Sequence, residues 1–215
     1  MEKYIETTME NLEKNNIKPF YVEKREDVVP LIKTLVKKGE SISCGGSVTL
    51  HECEVDTKIL KSGDYDFIDR SGLRGEELRE AYGKAFMCDT FFTSSNAVTE
   101  RGELYNVDGN SNRVACIVYG PRQVIMVIGK NKIVPNINAA VERVKKSAAP
   151  PNTVRLSCDT PCAKLGECVS LSNENAFICD GCHGESRICC NYVISAQQRH
   201  KDRIKVIIVN ENLGY

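Results

Sequence analysis

The sequence carries no excess charge of either sign, because its 29 acidic and 29 basic side chains leave a formal net charge of zero. A chain without a global basic field is poorly suited to recruiting nucleic acid or an anionic membrane surface. Long apolar runs are also absent, since none approaches the ~18 residues of a membrane span, and the polar N-terminus has no signal-peptide core. We therefore expect a cytoplasmic protein with no nucleic-acid partner and no membrane span.

The chain has the length and composition of an ordinary globular domain. It contains 215 residues, of which 41% are hydrophobic and 27% are charged, a balance that excludes disorder. No repeat of fixed period occurs. A single domain over residues 1–215, carrying an elaborate excursion, is the organisation we expect.

Apolar or β-branched runs alternate with amphipathic helical patterns along most of the chain. Strands are predicted at residues 19–22, 41–44, 67–68, 90–93, 114–118, 124–128 and 204–209. Helices are predicted at residues 1–16, 27–38, 48–60, 76–87 and 137–146. Such alternation predicts an α/β fold with a mostly parallel sheet and helices on both faces.

Two local features refine this prediction. The Asp108-Gly109-Asn110 sequence suits a tight β-turn, which predicts a hairpin between residues 104–107 and 114–118. Pro150 and Pro151 are predicted to end the last clear helix, with residues 154–156 as a short strand.

Seven of the eleven cysteines fall within one stretch that shows little periodicity; they are Cys158, Cys162, Cys168, Cys179, Cys182, Cys189 and Cys190. In a reducing cytoplasm such a stretch favours metal binding or catalysis over disulfides. A structureless loop of about 30 residues is uncommon in a compact domain unless something holds it. Residues 157–191 are therefore predicted to form a cysteine-rich, metal-binding loop before the last strand.

Several long segments resemble the lactate-utilization (LUD) domain family, in particular its short stand-alone members. They are residues 45–50 (GGSVTL), 93–113 (TSSNAVTERGELYNVDGNSNR), 119–124 (YGPRQV), 129–134 (GKNKIV), 148–150 (AAP), 187–194 (RICCNYVI) and 207–215 (IIVNENLGY). The resemblance implies a fold related to the ribose-phosphate isomerase, glucosamine-phosphate deaminase and CoA-transferase superfamily. It also implies a redox-associated role in the metabolism of lactate or a related hydroxy acid. The tandem cluster-binding motifs of some relatives are missing here.

The resemblance to short family members aligns Cys162, Cys168, Cys182 and Cys189, which are the first choice of metal ligands. Cys179 is the leading substitute, because it stands two residues before Cys182, and Cys158 and Cys190 are further alternatives. Structural zinc prefers closely spaced ligand pairs, whereas an iron–sulfur cluster tolerates wider spacing. A four-iron cluster is therefore favoured over zinc as the cofactor, and free thiols without metal are the third alternative.

Polar clusters follow three predicted strands directly, and ligands of open α/β sheets bind beyond the carboxyl ends of the strands. Backbone N–H groups, hydroxyls and cations of these clusters suit a phosphate or carboxylate. A small anionic metabolite is therefore the predicted ligand. The predicted binding residues are Gly45, Gly46, Ser47, Thr49, Ser94, Ser95, Asn96, Lys130 and Lys132.

Glu100 is the first candidate for catalysis, with Glu103 and Asp108 as neighbouring carboxylates. Proton abstraction beside a carbonyl needs such a carboxylate with cations on the developing oxyanion, and Lys130 or Lys132 would supply the cation. An isomerase or CoA-transferase-like enzyme with a structural loop is therefore one alternative function. A non-catalytic subunit whose loop docks a redox partner protein is the other.

Overall fold

A six-stranded sheet forms the centre of the protein, and all its neighbouring strands are parallel. The computed structural model describes residues 1–215. From one edge to the other, and numbered in chain order, the strands are Lys18–Val22 (β1), Ile204–Val209 (β10), Gln123–Gly129 (β7), Thr90–Thr93 (β4), Ser41–Cys44 (β2) and Asp66–Phe67 (β3). The predicted parallel α/β sheet is confirmed.

Helices cover both faces of this sheet, because its central strands are buried on both sides. They are Lys3–Lys14 (α1), Val28–Leu35 (α2), Val48–Glu52 (α3), Gly75–Phe86 (α4), Asn112–Val118 (α5), Ile137–Arg143 (α6), Ala149–Arg155 (α7) and Pro161–Leu165 (α8). Ile125 and Val127 of β7 join a core with α2 and α3. Met126 and Ile128 face the opposite core, with α1 and α5. None of the helices combines the length and apolarity that a membrane crossing needs.

A second, four-stranded sheet was not predicted. Its strands, in spatial order, are Ile133–Val134 (β8), Ala97–Thr99 (β5), Leu104–Asp108 (β6) and Asn191–Ser195 (β9). β5 and β6 form a tight hairpin whose turn contains Gly102 at a φ of 82°. A Cβ atom at Gly102 would lie 2.6 Å from the backbone carbon of Asn11. Glycine therefore lets this hairpin pack directly against α1.

Two predictions of local structure were wrong. Residues 114–118 form most of α5 rather than a hairpin strand, because the Asp108 carboxylate accepts hydrogen bonds from the backbone N–H groups of Arg113 (3.1 Å) and Val114 (3.0 Å). These bonds satisfy the first turn of the helix. Residues 154–156 are not a strand, since Pro150 and Pro151 begin α7 instead of ending a helix. Proline is tolerated in a first helical turn, where its missing N–H has no partner to lose.

The cysteine-rich segment, residues 157–191, follows α7 and ends at the first residue of β9. Before β9 it contains α8 and a 3₁₀ turn at Val169–Ser172. β9 then joins the second sheet through β6, so the cysteine-rich segment is anchored beside that sheet. All eleven cysteines are free thiols in this structure.

Candidate functional site

A cavity of about 490 Å³ opens beyond the carboxyl ends of β2, β4 and β7. It is lined by the polar residues that follow those strands; they are Gly46, Ser47, Ser94, Ser95, Asn96 and Lys132. Parallel strands deliver their carboxyl ends to one edge of a sheet, which explains why residues so distant in sequence meet here. The volume is typical of a small-molecule site. We call this space the cationic cavity.

Three other predicted binding residues do not line the cationic cavity. Thr49 lies behind Lys132 and accepts a hydrogen bond from its ammonium nitrogen at 2.9 Å. Gly45 makes room for Arg113, whose Cδ would be 2.9 Å from a Cβ at that position. Lys130 points elsewhere and forms an ion pair with Glu2 at 2.9 Å.

Glu100 lies outside the cationic cavity, in the turn between β5 and β6. Its backbone N–H donates to the carbonyl of Val134 (2.8 Å), and its carbonyl accepts from the amide of Asn11 (2.7 Å). The carboxylates that do line the cavity are Asp108 and Glu185. Since Asp108 is occupied by the start of α5, Glu100 and Asp108 are poorly placed as general bases for a ligand in this cavity.

Lys132 is the most perturbed side chain of the cationic cavity. It is 4% exposed and donates hydrogen bonds to the hydroxyls of Thr49 (2.9 Å) and Ser94 (3.1 Å). Burial, followed by the charges of Arg143 and Arg113, lowers the pKa of Lys132 from 10.5 to about 7. Both causes disfavour the charged form, so much of the amine is uncharged at neutral pH.

Arg113 organises the floor of the cationic cavity. Its guanidinium donates to the side-chain oxygens of Asn106 (2.8 Å) and Asn96 (2.9 Å), and to the carbonyls of Ser94 (3.2 Å) and Val107 (2.9 Å). Burial lowers its pKa, and the nearby Asp108 partly opposes that effect. The fork of fixed donors therefore holds the loop after β4 against β6.

Cations outnumber anions around the cavity. Five basic side chains line it, whereas only two acidic ones do; the basic residues are Arg70, Arg113, Lys132, Arg155 and Arg187. A concave site with such an excess of positive charge concentrates anions. The charge distribution therefore suits a carboxylate- or phosphate-bearing ligand.

The four cysteines chosen from the family resemblance line one second, narrow cavity; they are Cys162, Cys168, Cys182 and Cys189. We call it the cysteine cavity. The Cys162 sulfur lies 3.3 Å from the hydroxyl of Thr160, and the Cys168 sulfur lies 3.4 Å from that of Ser170. Hydroxyls at these distances are suitable hydrogen-bond donors to thiolates.

Arg187 ties the walls of the cysteine cavity together. Its guanidinium donates to the backbone carbonyls of Cys179, Cys182 and Cys189, each at 2.7 Å. It also donates to the hydroxyl of Tyr192 at 3.1 Å. One side chain thus fixes three points of the cysteine-rich segment and places a positive charge beside its thiols.

Tyr105 presents a second polar group to the cysteine cavity. The side chain is 0% exposed, it lines the cavity, and its hydroxyl has no hydrogen-bond partner. Burial raises its pKa, with further contributions from Tyr192, Cys189 and Cys179. A buried hydroxyl without a partner is costly, so this donor is available to an acceptor placed among the cysteines.

The thiols of the cysteine cavity are buried close to one another. Burial first, then the nearby thiols of Cys162 and Cys168, raise the pKa of Cys189 to about 12. Clustered thiolates of this kind require a compensating positive charge. No three His, Cys, Asp or Glu side chains converge closely enough to ligate a single metal ion. The sulfur donors are soft ligands of the kind that iron and zinc prefer, although the cysteine cavity encloses only about 30 Å³.

Comparison with known proteins identifies the family. A model of the LUD domain matches residues 5–209. The chain belongs to the LUD domain family. Its fold is similar to the crystal structure of a DUF162 family protein from Deinococcus radiodurans, with a TM-score of 0.54, 15% identity and 97% of each chain covered. No curated protein matches this LUD domain.

The two cavities of this LUD domain share a wall. Arg187, Cys189, Val144 and Ala149 line both of them. Cys189 therefore faces the cysteine cavity and borders the cationic cavity as well. Only these shared residues separate the cationic cavity from the cysteine cavity.

Several residues of this LUD-domain site were missed by the sequence prediction; they are Tyr105, Arg70, Arg113, Arg155 and Arg187. Arginine is normally a surface residue, and no spacing rule separates these from the other basic side chains. The proximity of Arg187 to Cys189 in sequence was the one available signal. Tyr105 is predicted as a strand residue, but the orientation of its hydroxyl depends on how β6 packs.

Proposed function

We propose that this LUD-domain protein is a redox component of hydroxy-acid metabolism. Membership of the LUD domain family associates the chain with lactate utilization. In the proposed function, a small anionic metabolite binds in the cationic cavity and the four cysteines hold an iron–sulfur cluster beside it. The observation that carries the proposal is the shared wall, where Arg187 and Cys189 line both cavities.

The charge of the cationic cavity supports an anionic ligand. Arg113 and Lys132 form its buried floor, while Arg155 lies close enough that a Cβ at Gly46 would be 3.8 Å from its guanidinium nitrogen. Tyr215 accepts a hydrogen bond from Arg155 at 2.7 Å and thereby restrains it. Fixed guanidinium groups recognise carboxylates and phosphates through paired hydrogen bonds. The ligand class is therefore a small carboxylic acid or a phosphorylated metabolite.

The spacing of the four cysteines favours a cluster over zinc. A structural zinc ion prefers ligand pairs roughly two to four residues apart, whereas the ligands of a cluster are spread over several iron atoms. Cys162, Cys168, Cys182 and Cys189 would be the cluster ligands. When bound, such a cluster supplies one-electron transfer. Arg187 and Tyr105 would act from outside the ligand set, the first by its positive charge and the second as a hydrogen-bond donor.

Apolar side chains on and around the cysteine-rich segment support a protein partner. Leu156, Leu165 and Phe177 are large and exposed, by 48%, 65% and 78% respectively. Exposed apolar residues commonly mark interaction sites when they form one patch. We propose that a redox partner protein docks there, in the reducing environment of the cytoplasm that keeps the thiols available for a cluster.

Metal analysis of protein purified without oxygen tests the cluster. We expect about four iron atoms and four acid-labile sulfides per chain, with a broad absorbance around 400 nm that bleaches on reduction. Cys189→Ser should lose most of this iron. Its matched control is Cys190→Ser, because Cys190 is the next residue, is exposed and does not line the cysteine cavity. Equal iron in the two variants, or one zinc per chain and no iron, would contradict the proposal.

Ligand binding tests the link between the two cavities. Lactate and inorganic phosphate, added separately to the oxygen-free protein, should alter the visible or paramagnetic spectrum of a cluster bordered by the same residues. Arg155→Ala should weaken that response without lowering the iron content, because Arg155 lines only the cationic cavity. If calorimetry shows that the protein binds these anions but the spectrum does not change, the two cavities are functionally independent and the proposed link between them is wrong.

A further inference from the structure

We propose that Lys132 is a nucleophilic amine, which forms an imine with the carbonyl group of a small keto acid held in the cationic cavity. This inference rests on the anion-binding half of the proposed function, but it requires no metal centre. It assigns covalent chemistry and a substrate class to Lys132, which the sequence predicts only as an anion-binding residue.

The first observation is that Lys132 is buried without a carboxylate partner. Its side chain takes part in none of the ion pairs of the structure. The nearest strongly interacting charges are the guanidinium groups of Arg143 from α6 and Arg113 from α5, while Glu52 and Cys53 at the end of α3 oppose them weakly. Desolvation beside other cations is an established way to keep a lysine uncharged and nucleophilic.

The second observation is the hydrogen-bond geometry around the amine. The hydroxyl of Thr49 donates to the carbonyl of Leu213 (3.4 Å), and that of Ser94 donates to the carbonyl of Ser95 (3.4 Å). Both hydroxyl oxygens are therefore acceptors toward Lys132. An uncharged amine has two N–H groups and one lone pair, so these two bonds occupy both N–H groups. The lone pair is left free on a residue that lines the cavity.

The cationic cavity selects the carbonyl compound. Because basic side chains dominate its wall, a carbonyl that carries a carboxylate is retained more strongly than a neutral aldehyde or ketone. The lone pair of Lys132 attacks the carbonyl carbon and forms the C–N bond. The carbonyl oxygen then leaves as water with the two amine hydrogens, which gives a C=N bond. Atoms and electrons balance without an oxidant or reductant.

Reductive trapping tests this inference on the wild-type protein. Pyruvate and cyanoborohydride are added at pH 7, and the modified lysines are identified by peptide mass spectrometry. We expect the reduced adduct on Lys132 in at least about tenfold excess over Lys130, since an ordinary lysine is almost fully protonated at this pH. Lys130 is the internal control, because it is two residues away and paired with Glu2. The excess should shrink as the pH rises and Lys130 loses its proton.

Two further measurements keep the outcome unambiguous. Lactate or phosphate, which bind as anions but have no ketone, should suppress labelling of Lys132 in proportion to their occupancy. Lys132→Arg, which has no nucleophilic amine, should lose the adduct, while the labelling of Lys130 stays unchanged. Equal labelling of Lys132 and Lys130, or no adduct on Lys132 in protein that binds pyruvate by calorimetry, would overturn the inference. Iron content is measured on the same sample, so a missing adduct and a missing cluster are distinguished.

Discussion

Replacing Lys132 by methionine should stabilise the protein at acidic and neutral pH, and this gain should shrink as the pH rises. Methionine keeps the length and packing of the side chain but removes a buried amine whose pKa is lowered from 10.5 to about 7 by burial and by two arginines. At high pH the amine is neutral in both the folded and the unfolded chain. Below pH 10.5 only the unfolded chain binds the proton, so wild-type stability falls from there to pH 7.

The size of this effect follows from the two pKa values. Each tenfold change in proton affinity corresponds to about 1.4 kcal/mol. The protonated Lys132 therefore costs the folded protein about 5 kcal/mol relative to the unfolded chain, and this cost is complete below pH 7. Between pH 6 and pH 9 the difference in unfolding free energy between Lys132→Met and wild type should fall by about 3 kcal/mol. Losing the bonds to Thr49 and Ser94 adds a cost that does not depend on pH.

Denaturant unfolding of both proteins at several pH values measures this difference. The other titrating groups are the same in both proteins, so their contributions to the pH dependence of stability cancel. Lys130→Met is the matched control, because Lys130 is paired with Glu2 at the surface and has a raised pKa. Its difference from wild type should stay nearly constant between pH 6 and pH 9. If the difference in unfolding free energy between Lys132→Met and wild type also stayed constant across this pH range, the low pKa of Lys132 would be refuted. The amine would then be protonated at neutral pH.

Three other predictions follow from the cysteine cavity and from the hairpin beside α1. Tyr105→Phe should lower the midpoint potential of the proposed cluster at unchanged iron content, because it removes a hydrogen-bond donor that favours the more negative reduced form; an unchanged potential in a redox titration would count against this role. Arg187→Lys should reduce the content of the proposed cluster and speed proteolysis within residues 157–191, since one ammonium group cannot reproduce the fork that binds three carbonyls; wild-type protection would contradict that. Gly102→Ala should destabilise the protein by well over the ~1–2 kcal/mol of a left-handed residue, because its Cβ would meet Asn11 at 2.6 Å. The control Gly39→Ala, at a φ of 81° with nothing within 4 Å, should cost only that strain, and equal unfolding free energies for the two variants would refute the clash.

Much of the parallel sheet could be predicted because its signals are local. The apolar runs of β7 and β10 exceed what a half-exposed strand needs, and both strands are buried on two faces. The clusters after β2, β4 and β7 follow from the same pattern, since parallel strands share one carboxyl edge. The second sheet was missed because β5 and β8 have three and two residues and pair across long stretches of chain. Short strands carry too few residues for a periodic signal.

The local sequence was misleading where side chains outside a segment decided the structure of that segment. Residues 114–118 are β-branched enough to suggest a strand, but the Asp108 carboxylate starts a helix there. Lys130 and Lys132 are indistinguishable as neighbouring lysines in a sequence. In the structure, the first reaches Glu2 at the surface, whereas the second is buried between Thr49 and Ser94. Residues 130–132 form a 3₁₀ turn, in which side chains two residues apart point about 120° away from each other, so the two lysines have different environments.

By itself, the sequence determined the family, the parallel α/β sheet and the edge where polar residues gather, and it predicts metal binding by residues 157–191. These depend on residue type, spacing and order, which are properties of the chain alone. Only the tertiary structure decided that Arg187 and Cys189 form a wall between two cavities, that the hydroxyl of Tyr105 has no partner, and that burial lowers the pKa of Lys132. Burial and electrostatic coupling depend on neighbours brought from other elements, and packing, rather than sequence spacing, chooses those neighbours.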